Sequence, residues 1–142
     1  MKPARTDDAF WMEAALADAR KAVGEGEVPV GAVAVLNGKK IASAHNRPIS
    51  LKDPTAHAEI LCLRRASKKL GNYRLNGIIL YVTKEPCAMC RGALVWARIE
   101  RLVWGCPDLK PANHKFRTTR KVLHGESALL LRGFFKKRRF RG

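Results

Sequence analysis

Two cysteines and a histidine have the side-chain types and the spacing of metal ligands. Cys87 and Cys90 stand three residues apart directly after Pro86, where a helix is predicted to begin. Residues i and i+3 share one helix face, and the positive end of the helix dipole favours thiolate, the form of cysteine that binds zinc. His57 lies near the start of another predicted helix. If both helices begin at one edge of a sheet, the three side chains can meet at a single zinc ion.

The ligand count and a nearby carboxylate favour a catalytic site. A catalytic zinc has three protein ligands and keeps a fourth position for water or substrate, whereas a structural zinc has four protein ligands. The metal lowers the pKa of its bound water, which then requires a proton carrier beside it. Glu59 is the candidate, because residues i and i+2 do not share a helix face. Glu59 is therefore poorly placed to ligate beside His57 and better placed to approach the water from the side.

Each of these residues also has a simpler interpretation. A histidine at a helix start is usually a cap or a surface residue, and a single C-x-x-C motif also occurs in redox pairs and in halves of structural zinc sites. A structural site needs a fourth ligand, but Cys62 lies well off the helix face of His57 and is expected to pack as a small hydrophobe. Cys106 has no evident partner in the sequence. The combination of H-x-E with P-C-x-x-C is far more specific than its parts.

Alternating predicted strands and helices would position these side chains. Continuous apolar runs predict buried strands, Asn37-Gly38 predicts a hairpin turn, and Asp53 and Pro54 suit the start of the helix that carries His57. The predicted elements are a helix at 8–23, strands at 28–36 and 40–46, a helix from 53 to about 70, a strand at 77–83, a helix at 86–99, strands at 101–105 and 115–123, and a helix at 126–139. This order predicts a three-layer α/β/α sandwich around a mixed five-stranded sheet.

Length and hydropathy favour one domain in the cytoplasm. The 142 residues suit a single zinc-binding domain spanning the whole chain, with a basic end from about residue 136 that we expect to fray. No apolar run approaches the roughly 20 residues of a membrane helix. The first residues carry acids where a secretory signal would carry an apolar stretch. We therefore expect a cytoplasmic location and no membrane partner.

The distribution of charge predicts a polyanionic partner. The net charge is +16, and residues 109–142 hold eleven basic side chains and one acidic side chain. Residues 1–27 have the opposite balance, with four basic and six acidic side chains. A basic end of this kind can be a solvated, solubilising surface, but the near absence of acids favours binding to nucleic acid.

Several segments together resemble one enzyme family. H-x-E followed by a strand and P-C-x-x-C is similar to the signature of zinc-dependent nucleobase deaminases. The sequence also contains the segments EVPVGAVAV, HNRPI, DPTAHAEIL, GNYRLNGIILYVT, EPCAMCRGAL, ARIERLVWG and NHKF…GFFKKRR. In these segments the chain more specifically resembles the bacterial tRNA-specific adenosine deaminases of the cytidine-deaminase-like superfamily, from about residue 10 to 139. The resemblance implies the cytidine-deaminase-like fold, a homodimer with sites completed across its interface, and hydrolysis of adenosine to inosine at a tRNA wobble position.

The resemblance also assigns roles to particular residues. It implies one zinc ion per chain, held by His57, Cys87 and Cys90, with Glu59 as proton carrier. It further implies substrate contacts, among which Asn46 would recognise the purine and Asp108 would lie near the anticodon nucleotides. The remaining residues that match substrate-binding positions are Ala88, Phe135 and the neighbouring Phe134. The two phenylalanines also suit the hydrophobic core, and the sequence leaves this alternative open.

The chain departs from this family at two places. Between "DLK" and "NHKF" only Pro111 and Ala112 remain of a segment that is usually longer, which bears on RNA affinity and dimer geometry. Lys84 stands where the family more often has an apolar residue.

Three alternatives remain at this level: a deaminase of a free base or nucleoside such as cytosine, guanine or cytidine, a relative that acts on single-stranded DNA, and a zinc-stabilised RNA-binding module. The presence of Glu59 disfavours the last.

Overall fold

A single sheet organises the chain. The computed structural model describes residues 6–108 and 117–141. In chain order its elements are α1 (Thr6–Gly24), β1 (Gly31–Leu36), β2 (Lys39–His45), α2 (Pro48–Leu51), α3 (Ala58–Leu70), β3 (Ile79–Lys84), α4 (Ala88–Ala97), β4 (Arg101–Cys106), β5 (Arg117–Thr119) and α5 (His124–Arg141). The strand order is β2-β1-β3-β4-β5. β1 is antiparallel to both of its neighbours, whereas β3, β4 and β5 are parallel.

Helices cover both faces of the sheet. Because side chains alternate along a strand, Val33 and Val103 face Met12 of α1. The neighbouring residues Leu80 and Leu102 belong to the larger cluster on the opposite face, together with apolar residues of α3 and α4. α5 contacts α1 and β4. The predicted three-layer α/β/α class is therefore confirmed. Within the described residues no helix combines the length and the apolar character needed to cross a membrane.

The helix that carries His57 begins later than the sequence predicts. Asp53 does not cap it. Instead its Oδ1 accepts hydrogen bonds from the backbone N–H and the hydroxyl of Thr55, at 2.9 and 2.7 Å. This local turn competes with a helix start, as short polar side chains commonly do. α3 consequently begins at Ala58. The preceding four-residue helix α2 was not predicted.

Other boundaries differ at the ends of elements. β1 begins at Gly31 rather than at residue 28. β5 is limited to Arg117–Thr119 within the described residues, and positions 115 and 116 of the predicted strand lie outside them. α5 begins at His124 and continues to Arg141, through the segment that was expected to fray. The shortened segment at Pro111 and Ala112 also lies outside the described residues.

Gly31 allows α1 to pack closely on β1. A Cβ atom at this position would collide with the backbone oxygen of Ala15 and lie 2.6 Å from the backbone nitrogen of Ala19. Backbone atoms of a packed helix cannot move aside cheaply, so we expect Gly31→Ala to lower the free energy of unfolding by about 2–3 kcal/mol. Urea denaturation would measure the change.

Gly92 provides the matched control for Gly31. It is exposed within α4, and a Cβ there would meet nothing within 4 Å. Gly92→Ala should therefore raise stability by up to about 1 kcal/mol through helix propensity. Equal unfolding free energies for the two variants would contradict the close packing at Gly31.

Candidate metal centre and active site

Two helix N-termini meet at the candidate site, and each presents its N-cap residue. His57 is the N-cap of α3, with φ −71° and ψ 154°, and Cys87 is the N-cap of α4, with φ −69° and ψ 173°. The sequence predicted that His57 lies inside this helix, near its start, whereas His57 precedes the first helical residue, Ala58. Neither side chain forms a capping hydrogen bond to its own helix. Both are thus available to a ligand that lies between the two helices.

The geometry of the three side chains fits one metal ion. His57 Nδ1 lies 3.7 Å from Cys87 Sγ and 3.5 Å from Cys90 Sγ. All three donor atoms lie within 4.8 Å of one another. Tetrahedral zinc with ordinary bond lengths separates its nitrogen and sulfur ligands by about 3.6 Å. Among the described residues, no other group of histidine, cysteine and acidic side chains has this arrangement.

The chemistry of the donor set also fits zinc. Burial raises the pKa of the Cys90 thiol, and the nearby Glu59 carboxylate and Cys87 raise it further. A thiolate at this position therefore requires a compensating cation, and coordination to a divalent metal deprotonates a thiol. Two thiolates and a neutral imidazole balance the charge of one Zn²⁺. His57, Cys87 and Cys90 are accordingly suited to hold this ion.

Glu59 lies beside the three donors but outside the group that they form. It is the second residue of α3 and is buried, with 4% of its surface exposed. Burial raises the pKa of its carboxyl, although a backbone hydrogen bond and the electrostatic effects of His57 and Lys84 act in the opposite direction. A raised pKa suits a group that must both accept and donate a proton near neutral pH. The i,i+2 spacing thus places Glu59 next to the predicted donor His57 without making Glu59 a member of the donor group.

A cavity of about 280 Å³ lies next to Glu59 and the metal-donor residues His57 and Cys87. Val28, Val30 and Phe135 form its apolar walls, and Asn46, Lys84 and Glu85 add polar groups. Glu59, His57 and Cys87 also line it. An apolar enclosure with a few convergent polar groups is typical of small-ligand sites.

Asn46 has a structural partner as well as a place in the cavity. Its Oδ1 accepts a hydrogen bond from the backbone N–H of Ala58, the first residue of α3, at 2.7 Å. Asn46 is predicted to recognise the purine, and a bidentate contact of its amide with a purine would have to share this oxygen. The two N–H donors of the side-chain amide are not used by that bond.

The other predicted substrate residues do not all reach the cavity. Phe134 is buried, whereas its neighbour Phe135 is 48% exposed and lines the cavity. Their rings are 5.4 Å apart in an edge-to-face arrangement. Asp108 and Ala88 are not among the residues that line the cavity. Asp108 nevertheless accepts a hydrogen bond from Lys84, which does line the cavity. Ala88 is exposed at the start of α4.

Four lining residues were not predicted as part of a site: Val28, Val30, Lys84 and Glu85. Val28 and Val30 lie just before β1, because the strand begins later than expected, and Lys84 ends β3. The position of Lys84 next to Glu85-Pro86-Cys87 was a usable signal. Lys84 is three residues before Cys87 in the sequence, and both side chains line the same cavity.

The fold has three layers, a single sheet with helices on both faces, and one histidine and two cysteine donors lie where two helices begin. This combination is that of a zinc-binding deaminase domain. The family model described as the cytidine and deoxycytidylate deaminase zinc-binding region matches residues 5–106.

More specific similarity is found among curated proteins and solved structures. The chain is 42% identical to the tRNA-specific adenosine deaminase of Buchnera aphidicola subsp. Schizaphis graminum, covering 94% of this chain and 97% of the relative. It is 52% identical over 104 residues to the chloroplastic tRNA(adenine(34)) deaminase of Arabidopsis thaliana, covering 73% of this chain but only 8% of that protein. A structure from a study of A-to-I editing by tRNA:A34 deaminases superposes with a TM-score of 0.82 at 43% identity, covering 86% of this chain and 99% of the other. The chain belongs to the tRNA-specific adenosine deaminase family.

Proposed function

We propose that the protein deaminates adenosine to inosine within RNA, at the wobble position of a tRNA anticodon loop. The observation that carries this proposal is the buried Glu59 beside the His57, Cys87 and Cys90 donors. Glu59, His57 and Cys87 line one cavity. The family supports adenosine as the target. The overall reaction consumes one water molecule and releases ammonia.

Each residue of the site has a defined task in this proposal. His57, Cys87 and Cys90 would hold zinc, which when bound lowers the pKa of water and supplies a nucleophile near neutral pH. Glu59 accepts a proton from the attacking water, then delivers protons to the ring nitrogen and to the amine that leaves C6 of the base. The buried setting of Glu59 keeps bulk water from competing for these protons.

The cavity walls are suited to one unpaired base. An anticodon loop presents unstacked bases that can be turned into a pocket. The amide N–H groups of Asn46 can donate to acceptors on a purine, and Phe135 offers an aromatic surface beside it. The net charge of +16 favours the phosphates of the surrounding loop.

A homodimer is also part of this proposal. α4 exposes Trp96 by 81% and Val95 by 43%. Large exposed apolar side chains are common at protein interfaces. Sedimentation of the purified protein would test for two chains per particle.

Inosine formation on a panel of substrates tests the proposed function. The panel contains RNA anticodon hairpins, DNA hairpins of the same sequence, free nucleosides and free bases. We expect deamination of the RNA hairpin at one adenosine, with one ammonia released per inosine. Reaction of free bases or nucleosides alone would overturn the proposal, and preference for the DNA hairpin would identify the substrate as single-stranded DNA.

Binding of the RNA hairpin should depend steeply on salt. For roughly five phosphate contacts, affinity should fall about 100-fold between about 50 and 200 mM monovalent salt, because counterions released on binding must be recovered. Fluorescence anisotropy with a Glu59→Ala protein would measure binding without turnover. An affinity that does not change with salt would mean that the basic side chains do not contact phosphate.

A further inference from the structure

Lys84 places a positive charge in the wall of the active-site cavity. It is the last residue of β3 and lines the cavity together with Asn46, Glu59 and Phe135. Among the described residues that line the cavity, no other is a lysine or an arginine. The Lys84 side chain is 31% exposed, so its ammonium group lies between the interior of the cavity and solvent.

A chain of hydrogen bonds holds this ammonium group in place. Lys84 Nζ donates to Asp108 Oδ1 at 3.1 Å. The backbone N–H of Asp108 donates to Glu85 Oε1 at 3.0 Å, and the other carboxylate oxygen of Glu85 accepts from buried Arg91 of α4. Asp108 is therefore anchored to the helix that carries Cys87 and Cys90. An ammonium has three N–H donors, and its bond to Asp108 uses one.

The target base itself offers the Lys84 ammonium group no charged partner. The adenine ring is neutral, and Asn46 and Phe135 already provide hydrogen-bonding and apolar surfaces for it. A nucleoside within a nucleic acid, however, brings phosphates with it, and lysine binds phosphate as a compact point charge. An ammonium at the edge of a base-sized cavity is suited to that group.

Building on the proposed function, we infer that Lys84 binds the backbone phosphate next to the target adenosine and so favours nucleotides within a chain over free nucleosides. Asp108 holds the ammonium group in position before RNA binds. Lys84 in turn compensates the carboxylate, which would otherwise repel the phosphate at the entrance of the cavity.

Removal of the charge tests this inference. Lys84→Met should raise the KM for the RNA hairpin about five- to tenfold, the loss of one partly exposed charge-assisted hydrogen bond. The increase in KM should exceed any change in kcat, because phosphate contacts position the substrate and take no part in the chemistry. Lys84→Arg, which keeps the charge, should restore most of the affinity.

Lys21→Met is the matched control. Lys21 also pairs with an aspartate, Asp18, at 3.3 Å, but it lies on α1 away from the cavity. This variant removes the same charge from the protein and should leave KM within about twofold, since exposed ion pairs contribute little. Equal KM changes in Lys21→Met and Lys84→Met would show an effect of net charge and overturn the inference.

Hairpins with an uncharged methylphosphonate provide the more specific measurement. They carry it on the 5′ or the 3′ side of the target adenosine. At one of these positions wild type should lose about five- to tenfold in affinity, whereas Lys84→Met should lose less than about twofold, because the contact is already absent. If methylphosphonate lowered the affinity of wild type and of Lys84→Met by the same factor at both positions, the inference would be contradicted. If the Lys84→Met protein loses zinc or does not fold, the Lys84→Gln variant is used instead. The glutamine amide is uncharged but can still donate a hydrogen bond to Asp108.

The two proposals fail in different ways. If wild type does not act on the RNA hairpin, the proposed function fails. If wild type acts on it and Lys84→Met has an unchanged KM, the inference about Lys84 fails alone.

Discussion

Glu59→Ala is expected to abolish turnover while leaving one zinc ion bound per chain. Glu59 is buried beside the three donors but is not one of them. Loss of general acid–base catalysis should lower kcat by at least about 10³-fold. Inosine formation measured at saturating RNA, together with zinc analysis of the same sample, would provide both numbers.

Two companion variants define what this result means. Glu59→Gln keeps the size and the hydrogen-bonding capacity of the side chain, so an equal loss of kcat would assign the effect to the missing proton carrier. Glu100→Ala removes an exposed carboxylate outside the cavity and should leave kcat unchanged. Substantial activity in Glu59→Gln would rule out the proton-carrier role.

His57→Ala should lose the metal as well as the activity. It removes the only nitrogen donor of the group, whose Nδ1 lies 3.5 Å from Cys90 Sγ and 3.7 Å from Cys87 Sγ. Two thiolates alone do not complete a catalytic zinc site. Zinc content after dialysis should fall from one per chain to near zero, and kcat should fall by more than about 10³-fold with loss of the metal's contribution.

His45→Ala is the matched control for this loss. His45 Nε2 pairs with a Glu25 carboxylate oxygen at 2.9 Å, and His45 is not among the cavity-lining residues. Its removal should preserve both zinc content and activity. Full zinc occupancy in His57→Ala would contradict the assignment of His57 as a ligand.

The three donors that the sequence predicted do lie together in the structure. The backbone around them differs from the prediction, because α3 begins later. The residue types and spacings of His57, Cys87 and Cys90 sufficed, because metal chemistry limits the side chains that can serve. The exact start of α3 could not be predicted. Asp53 can cap a helix or close a local turn with Thr55, and these options have similar free energies, so packing of the preceding segment decides between them.

Phe134 and Phe135 illustrate a different limit. Both match aromatic positions of the family, and adjacent helical residues differ in direction by about 100°. The sequence cannot determine which one faces the core, because that depends on how α5 lies against the sheet. In the structure Phe134 is buried and Phe135 lines the cavity. Lys84 stood out in the sequence as a departure from the family, but its place in the cavity depends on where β3 ends.

The position of the ligands at the starts of α3 and α4 also affects how the chain holds together. His57 and Cys87 are 30 residues apart, and the segment between them contains α3 and β3. A bound metal ion would therefore close a loop around a central part of the sheet, much as a disulfide does. By the chain-entropy estimate, such a closure is worth roughly 3–4 kcal/mol. The ion that serves the reaction would then also act as a cross-link of the fold.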